Sequence, residues 1–213
     1  MGEIYCGRCG WQRRRGIPGK GGWFTTKEQS GGGPLIDLGV HVIDFVRYAL
    51  GNPKAASVYG ATFHKLGIRP HIKGSGDWNS EDKGGGDICD VEDMATALIR
   101  FENGAVLNVE TSFTLNVEDD RGTIELFGEK AGAKIDPELK LMSEANGYMT
   151  DVKLKYPTAL SFDGLFQKEI DHYVDCVLGK CECRSPAVDG YELMRILDAA
   201  YESARTGHEV VLQ

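Results

Sequence analysis

Seven strand-like runs stand between residues 55 and 156 with no helix-length pattern among them, and that clustering decides the fold class. The clearest is a hairpin. Met94 to Phe101 and Ala105 to Phe113 flank Glu102-Asn103-Gly104, and Asn-Gly is the strongest short hairpin signal. Ala95, Ala97, Ile99 and Phe101 alternate onto one face. Further runs fall at 55–63, 121–127, 133–135, 139–142 and 149–156, with turns at Gly128, Gly132 and Asn146-Gly147. Residues 2–12 read as a strand ahead of them. Strands joined by tight turns pair antiparallel, whereas parallel pairing needs long crossovers. The expectation is an α+β fold: a largely antiparallel open sheet with helices packed on one face, residues 1–213 forming a single domain.

Helical patterns stand at the two ends of this strand region. One runs from Gly31-Gly32-Gly33 to Gly51, with Pro34 in its first turn and Gly51 and Pro53 stopping it. A second carries Phe166, Ile170, Tyr173 and Val177 at helical spacing and closes at Gly179. A third starts near Asp189, with Asp189 and Glu192 resembling a capping box, and continues through Leu193, Ile196, Leu197, Ala200 and Ala204 to Gly207. Residues 209–212 read as a last strand. Residues 67–89, rich in Gly, Asp and Lys and containing Trp78, form a segment too long to be a plain connection; such segments are functional lids or mobile.

The first helical pattern is apolar nearly all round, which marks a buried helix. Asp37, His41, Asp44 and Tyr48 nevertheless share a stripe about 60° wide at 100° per residue. A carboxylate and an imidazole in apolar surroundings must be paired or must line a cavity. Spacing leaves two readings open: a reaction site, or a structural Asp–His pair. Arg13-Arg14-Arg15, in the basic glycine-rich connection that ends at Trp23-Phe24, reads either as a solvated turn or as an anion contact.

The formal net charge of −8 excludes a general nucleic-acid binder, which needs a basic surface. No apolar run reaches the roughly 18 residues of a membrane span, and the first residues lack a signal-peptide core, so a cytoplasmic protein is expected. Cys6-Gly7-Arg8-Cys9 and Cys181-Glu182-Cys183 differ in spacing and no His pair accompanies them. On a strand, Cys6 and Cys9 point to opposite faces. No metal site is expected, and the six cysteines read as reduced structural thiols. Neither a GxGxxG nor a GxxxxGK[ST] phosphate loop occurs.

The segment Gly31-Gly32-Gly33-Pro34-Leu35-Ile36-Asp37-Leu38-Gly39-Val40-His41-Val42-Ile43-Asp44 resembles the GGGxxxDxGxHxxD signature of the Gfo/Idh/MocA oxidoreductases, the glucose-fructose oxidoreductase and inositol dehydrogenase type. The segments 11–19, 90–95, 166–175 and 196–207 are similar to that family as well, so the resemblance covers essentially the whole chain. It implies the C-terminal domain only, which binds substrate and self-associates. The family's N-terminal Rossmann domain, and its Glu-Lys-Pro segment with a catalytic lysine, have no match here. NAD or NADP is therefore expected to bind only with a Rossmann domain present, and this chain alone is expected to bind no cofactor and to be inactive. A Met1 at the domain junction suggests a fragment or a truncated reading frame.

The same resemblance implies oxidation of a secondary alcohol of a sugar, polyol or inositol-like substrate, with His41 as proton acceptor and Asp37 as its partner and a substrate ligand. Asp44, Arg13 and Trp23 are further substrate-binding candidates, and Gly32 and Gly33 are cofactor-binding candidates. A homo-oligomer is expected. The rival reading is a non-enzymatic oligomerisation or ligand-binding module on the same fold.

Overall fold

The computed structural model describes residues 1–72, 74, 80, 86–135, 138–155 and 163–213. Among the described residues, nine strands form one sheet: β1 (Ile4–Gln12), β2 (Ala55–Phe63), β3 (Met94–Phe101), β4 (Val106–Ser112), β5 (Arg121–Gly128), β6 (Ala131–Lys134), β7 (Lys140–Ala145), β8 (Tyr148–Val152) and β9 (Val210–Val211). Their order is β8-β7-β6-β5-β1-β4-β3-β2-β9. Seven of the eight pairings are antiparallel. The exception is β1 with β4, where Cys9 lies opposite Val109 in parallel register. The first strand thus enters the middle of the sheet, between the β5–β8 meander, built by local turns, and the β4-β3-β2-β9 half, in which only β3 and β4 are joined by a tight turn.

The β3–β4 turn follows its sequence. Gly104 takes a left-handed φ of 87° and donates its N–H to the Phe101 carbonyl, while the Asn103 side chain accepts the Ala105 N–H. The alternation sends Ala95, Ala97, Ile99 and Phe101 into the core with Leu107 and Val109. Two helices cover this face: α2 (Val40–Ala49) and α4 (Ala187–Thr206). Val42, Ile43 and Val46 of α2 meet Leu193, Ile196 and Leu197 of α4 in one cluster. The approach of α4 to β2 is close enough that a Cβ on Gly60 would stand 2.5 Å from the Ala200 carbonyl oxygen.

Several expectations need correction. The helix does not begin at Gly31. Gly31 ends a short helix, α1 (Lys27–Ser30), in a left-handed conformation, after a 3-10 turn over Trp23–Thr25. Gly32 and Gly33 form a bend, and helical structure starts at Pro34. Leu35–Gly39 form a wide π-turn that runs into α2. α4 starts at Ala187, so Asp189 lies inside its first turn rather than capping it. There the Asp189 carboxylate accepts from Asn52 Nδ2 at 3.0 Å, and Glu192 pairs with Arg195 at 3.0 Å.

The strand expected to reach residue 156 ends at Val152. Trp78, in the expected 67–89 loop, lies outside the described residues. Helix α3 (Leu165–Val177) buries none of its residues; Phe166 is 70% and Tyr173 65% exposed. No helix among the described residues is long and apolar enough to cross a membrane.

One buried cation ties the helices together. Arg47, fully buried near the end of α2, donates through Nη1 to the Asp189 carbonyl at 3.0 Å and through Nε to the Pro53 carbonyl at 3.4 Å. A buried guanidinium is tolerated only where carbonyls or carboxylates surround it. Its role here is to fix the end of α2 against the start of α4.

Candidate active site

The π-turn and α2 place the stripe at the rim of the core. Asp37 is half-buried on the π-turn, and His41 is exposed one turn later. They share a hollow of about 250 Å³ with Trp23, Phe24, Ser30, Gly32, Ile36 and Val40. Trp23 stands edge-on to Phe24, with ring centroids 5.5 Å apart, and forms an aromatic wall. Arg13 approaches from the end of β1. Its guanidinium lies 5.2 Å from the Trp11 ring centroid and its charge acts on Asp37. Asp37, His41, Trp23 and Gly32 therefore line one hollow, with the Arg13 charge acting on Asp37.

Asp44 does not share that hollow. It opens onto a second cleft, of about 440 Å³, with Tyr48, Asn52, Arg184, Ser185 and Asp189. His41 lines both concavities and stands on the ridge between them.

Burial raises the pKa of Asp37, while the charges of Arg13 and His41 oppose that rise. Burial is the larger effect. A carboxyl whose pKa rises on folding holds its proton more tightly in the folded chain. Its stabilising contribution is complete below the unfolded-state pKa and is lost as pH climbs through the folded-state value. At neutral pH Asp37 is thus a stability liability of the kind reaction sites carry. Asp37→Asn is expected to raise the melting temperature at pH 7. The gain should shrink as pH falls to where the carboxyl is protonated in both states. Thermal melts of the two proteins across pH check this; a lower melting temperature for the variant at pH 7 contradicts it.

Residues that sequence reasoning missed hold the π-turn in place. Glu92, buried just before β3, accepts the N–H of Gly33 at 2.9 Å, the N–H of Leu35 at 3.2 Å and the Tyr201 hydroxyl at 2.8 Å. A carboxylate at a helix start satisfies amides that have no intrahelical acceptor and suits the helix dipole. Burial, with the Glu92 charge next, drives the Tyr201 pKa upward, so its hydroxyl stays protonated and donates.

The tightness of this knot explains the glycines. A Cβ on Gly32 would stand 2.1 Å from the Tyr201 hydroxyl, and one on Gly33 2.2 Å from the Glu92 carbonyl oxygen. Gly33 directs its amide to Glu92 rather than into the hollow, whereas Gly32 is part of the hollow's wall. The signal for Glu92 was its place in Asp90-Val91-Glu92-Asp93, three acids around one apolar residue at a strand start. Its neighbour Asp93 accepts three loop amides, from Lys65, Leu66 and Gly67, at 2.6–2.9 Å.

The class of the chain follows from its match to a family model: the C-terminal α/β domain of an oxidoreductase. The sequence model described as "Oxidoreductase family, C-terminal alpha/beta domain" matches residues 1–212. This chain belongs to the Gfo/Idh/MocA oxidoreductase family. It is 34% identical over 213 residues to the D-glucoside 3-dehydrogenase of Escherichia coli (strain K12), covering 100% of this chain and 58% of that protein. It is 31% identical over 170 residues to a putative UDP-kanosamine synthase oxidoreductase subunit of Amycolatopsis mediterranei (strain S699), covering 73% of this chain and 46% of the other. Among solved structures, levoglucosan dehydrogenase in complex with NADH superposes over 100% of this chain and 59% of its own, with TM-score 0.77 and 22% identity. The chain thus spans about half to three fifths of the length of these relatives.

Proposed function

We propose that this chain is the substrate-binding and proton-accepting half of an NAD(P)-dependent oxidoreductase acting on a secondary alcohol of a sugar, polyol or inositol-like compound. The observation that carries the reading is the convergence of the half-buried Asp37 carboxylate, His41 and Trp23 on one hollow, with the Arg13 charge acting on Asp37. The two curated relatives above are named for sugar chemistry, which favours a cyclic sugar.

Oxidising a secondary alcohol breaks two bonds. The C–H bond yields a hydride and the O–H bond yields a proton, leaving a ketone. A bound nicotinamide supplies the hydride acceptor. The hollow's 250 Å³ suits a ring and not a whole dinucleotide, and the chain carries no phosphate-binding glycine loop. The nucleotide is therefore held chiefly by a Rossmann domain outside these 213 residues.

This chain's own residues do the rest. The His41 imidazole takes the hydroxyl proton, which an imidazole does readily near neutral pH. The Asp37 carboxylate stands beside the same oxygen, accepts a hydrogen bond from a neighbouring ring hydroxyl, and favours the imidazolium that forms. The Arg13 charge opposes the rise in the Asp37 pKa that burial causes. Trp23 offers an aromatic face to the sugar ring. The uncovered apolar stripe of α3 is the surface such a second domain would bury. The outer sheet face, with Tyr59 and Leu98 about half exposed, is where we place self-association.

The test is reduction of NAD or NADP by glucosides, levoglucosan and inositol, followed by absorbance, with this chain fused to its nucleotide-binding half. Reduction dependent on a cyclic sugar is the expected result. No turnover with any polyhydroxy compound, together with an oligomer that binds sugar, would favour the non-enzymatic module instead.

A further inference from the structure

The last turns of α3 put His172 and Cys176 four residues apart on one side of the helix. The chain then folds back through Lys180, whose ammonium pairs with Asp175 at 2.9 Å, and brings Cys181 and Cys183 up to them. Cys176 Sγ lies 3.5 Å from His172 Nε2 and 3.7 Å from Cys181 Sγ, and Cys181 Sγ lies 3.6 Å from His172 Nδ1. The donor atoms of His172, Cys176 and Cys183 all lie within 4.8 Å of one another. A tetrahedral zinc with ordinary Zn–S and Zn–N bonds has edges of about 3.5–3.8 Å.

Three thiols and an imidazole packed at that spacing serve no core. Cys181 and Cys183 are exposed, and α3 buries nothing. The backbone N–H of Arg184 donates to His172 Nε2 at 3.1 Å. That bond occupies the Nε2 lone pair and leaves Nδ1, 3.6 Å from Cys181 Sγ and 4.0 Å from Cys176 Sγ, as the nitrogen a metal would claim.

We propose that His172, Cys176 and Cys183 bind one Zn²⁺, with Cys181 completing the shell. Binding releases the three thiol protons and forms three Zn–S bonds and one Zn–N bond, with no change of oxidation state. The spacing, H-x3-C-x4-C-x-C, is compact because the helix and the segment that folds back from it meet at once. The site is structural, with four protein ligands and no open position. Its consequence reaches the cleft of His41 and Asp44, because Arg184 and Ser185, which directly follow Cys183, stand in the wall of that cleft. Zinc would fix the strap that carries them.

The experiment uses the 213-residue chain, stripped with a chelator and titrated with Zn²⁺ alone, with metal content read by mass spectrometry and Co²⁺ substituted for the thiolate-to-metal absorption. One Zn²⁺ per chain is expected, with a rise in melting temperature on loading and intense cobalt–thiolate bands. Cys176→Ser and Cys183→Ser should each weaken binding by about a hundredfold or more, while Cys89→Ser, distant from the cluster, should bind as the parent does. Circular dichroism of each stripped variant shows whether the fold is intact. Sub-stoichiometric zinc, full binding by the Cys176→Ser variant, or a Cys176–Cys181 disulfide that forms in air in the presence of zinc would each overturn the proposal.

Discussion

Replacing His41 with glutamine lowers kcat for sugar oxidation by about 10²–10⁴-fold, the range expected when a positioned proton acceptor is lost. The substitution removes the base and keeps a polar side chain of similar reach. Nicotinamide affinity should stay nearly unchanged, because phosphates and ribose are held outside this chain under the proposal. The side chain is exposed on the ridge between the hollow and the cleft, so its loss should leave the melting temperature within about 1 °C, as for surface substitutions generally. Steady-state kinetics with the fused nucleotide-binding half, beside fluorescence titration of NADH, separates these effects. A variant that keeps full kcat removes His41 from the reaction. One that loses NADH affinity in proportion to kcat shows that the residue serves the nucleotide instead.

Replacing Glu92 with alanine destabilises the chain by about 3–5 kcal/mol. Three donors converge on that carboxylate, from Gly33, Leu35 and Tyr201. Each buried donor left without an acceptor costs about 1–3 kcal/mol, and partial rearrangement or water entry recovers some of the sum. For a chain of this size the melting temperature should fall by on the order of 10 °C. Glu92→Gln should cost less, because its carbonyl oxygen still accepts while its amide faces the helix start badly. Activity of the fused enzyme should drop with Glu92→Ala as well, since the π-turn that carries Asp37 loses its anchor. Denaturant unfolding of the three proteins is the measurement. Equal stability of Glu92→Ala and the parent would mean that the knot under Gly32 and Gly33 holds nothing.

Particular residues show how far the sequence reaches. The β3–β4 hairpin was legible because Asn103-Gly104 and the alternation from Ala95 to Phe101 are local signals that agree with each other. Asp37 and His41 were legible as a pair because a helical period of apolar residues isolates them. The π-turn was not, since nothing within five residues of Asp37 distinguishes it from α-helix. Glu92 was hidden because its partners, Gly33, Leu35 and Tyr201, come from two distant segments, and a buried acid looks like a polar turn until its donors are known. The parallel pairing of β1 with β4 escaped for the same reason: its register is set by the whole sheet. Asp44 was grouped with Asp37 by periodicity, yet the widened turn leaves them on different concavities. The cysteines were weighed as CxxC and CxC pairs. His172 and Cys176 join Cys183 only because a helix end and the irregular segment after it meet, and pair counting cannot see that.

A sugar hydroxyl pinned between an acid and an imidazole at the mouth of a small aromatic hollow is the claim on which the rest depends. A crystal structure of the fused enzyme with reduced nicotinamide nucleotide and a glucoside addresses it most directly. The account predicts one ring hydroxyl within hydrogen-bonding distance of both Asp37 and His41, with its carbon facing the nicotinamide and the ring against Trp23. A sugar seated in the Asp44 cleft, with Asp37 and His41 touching only solvent, would contradict it.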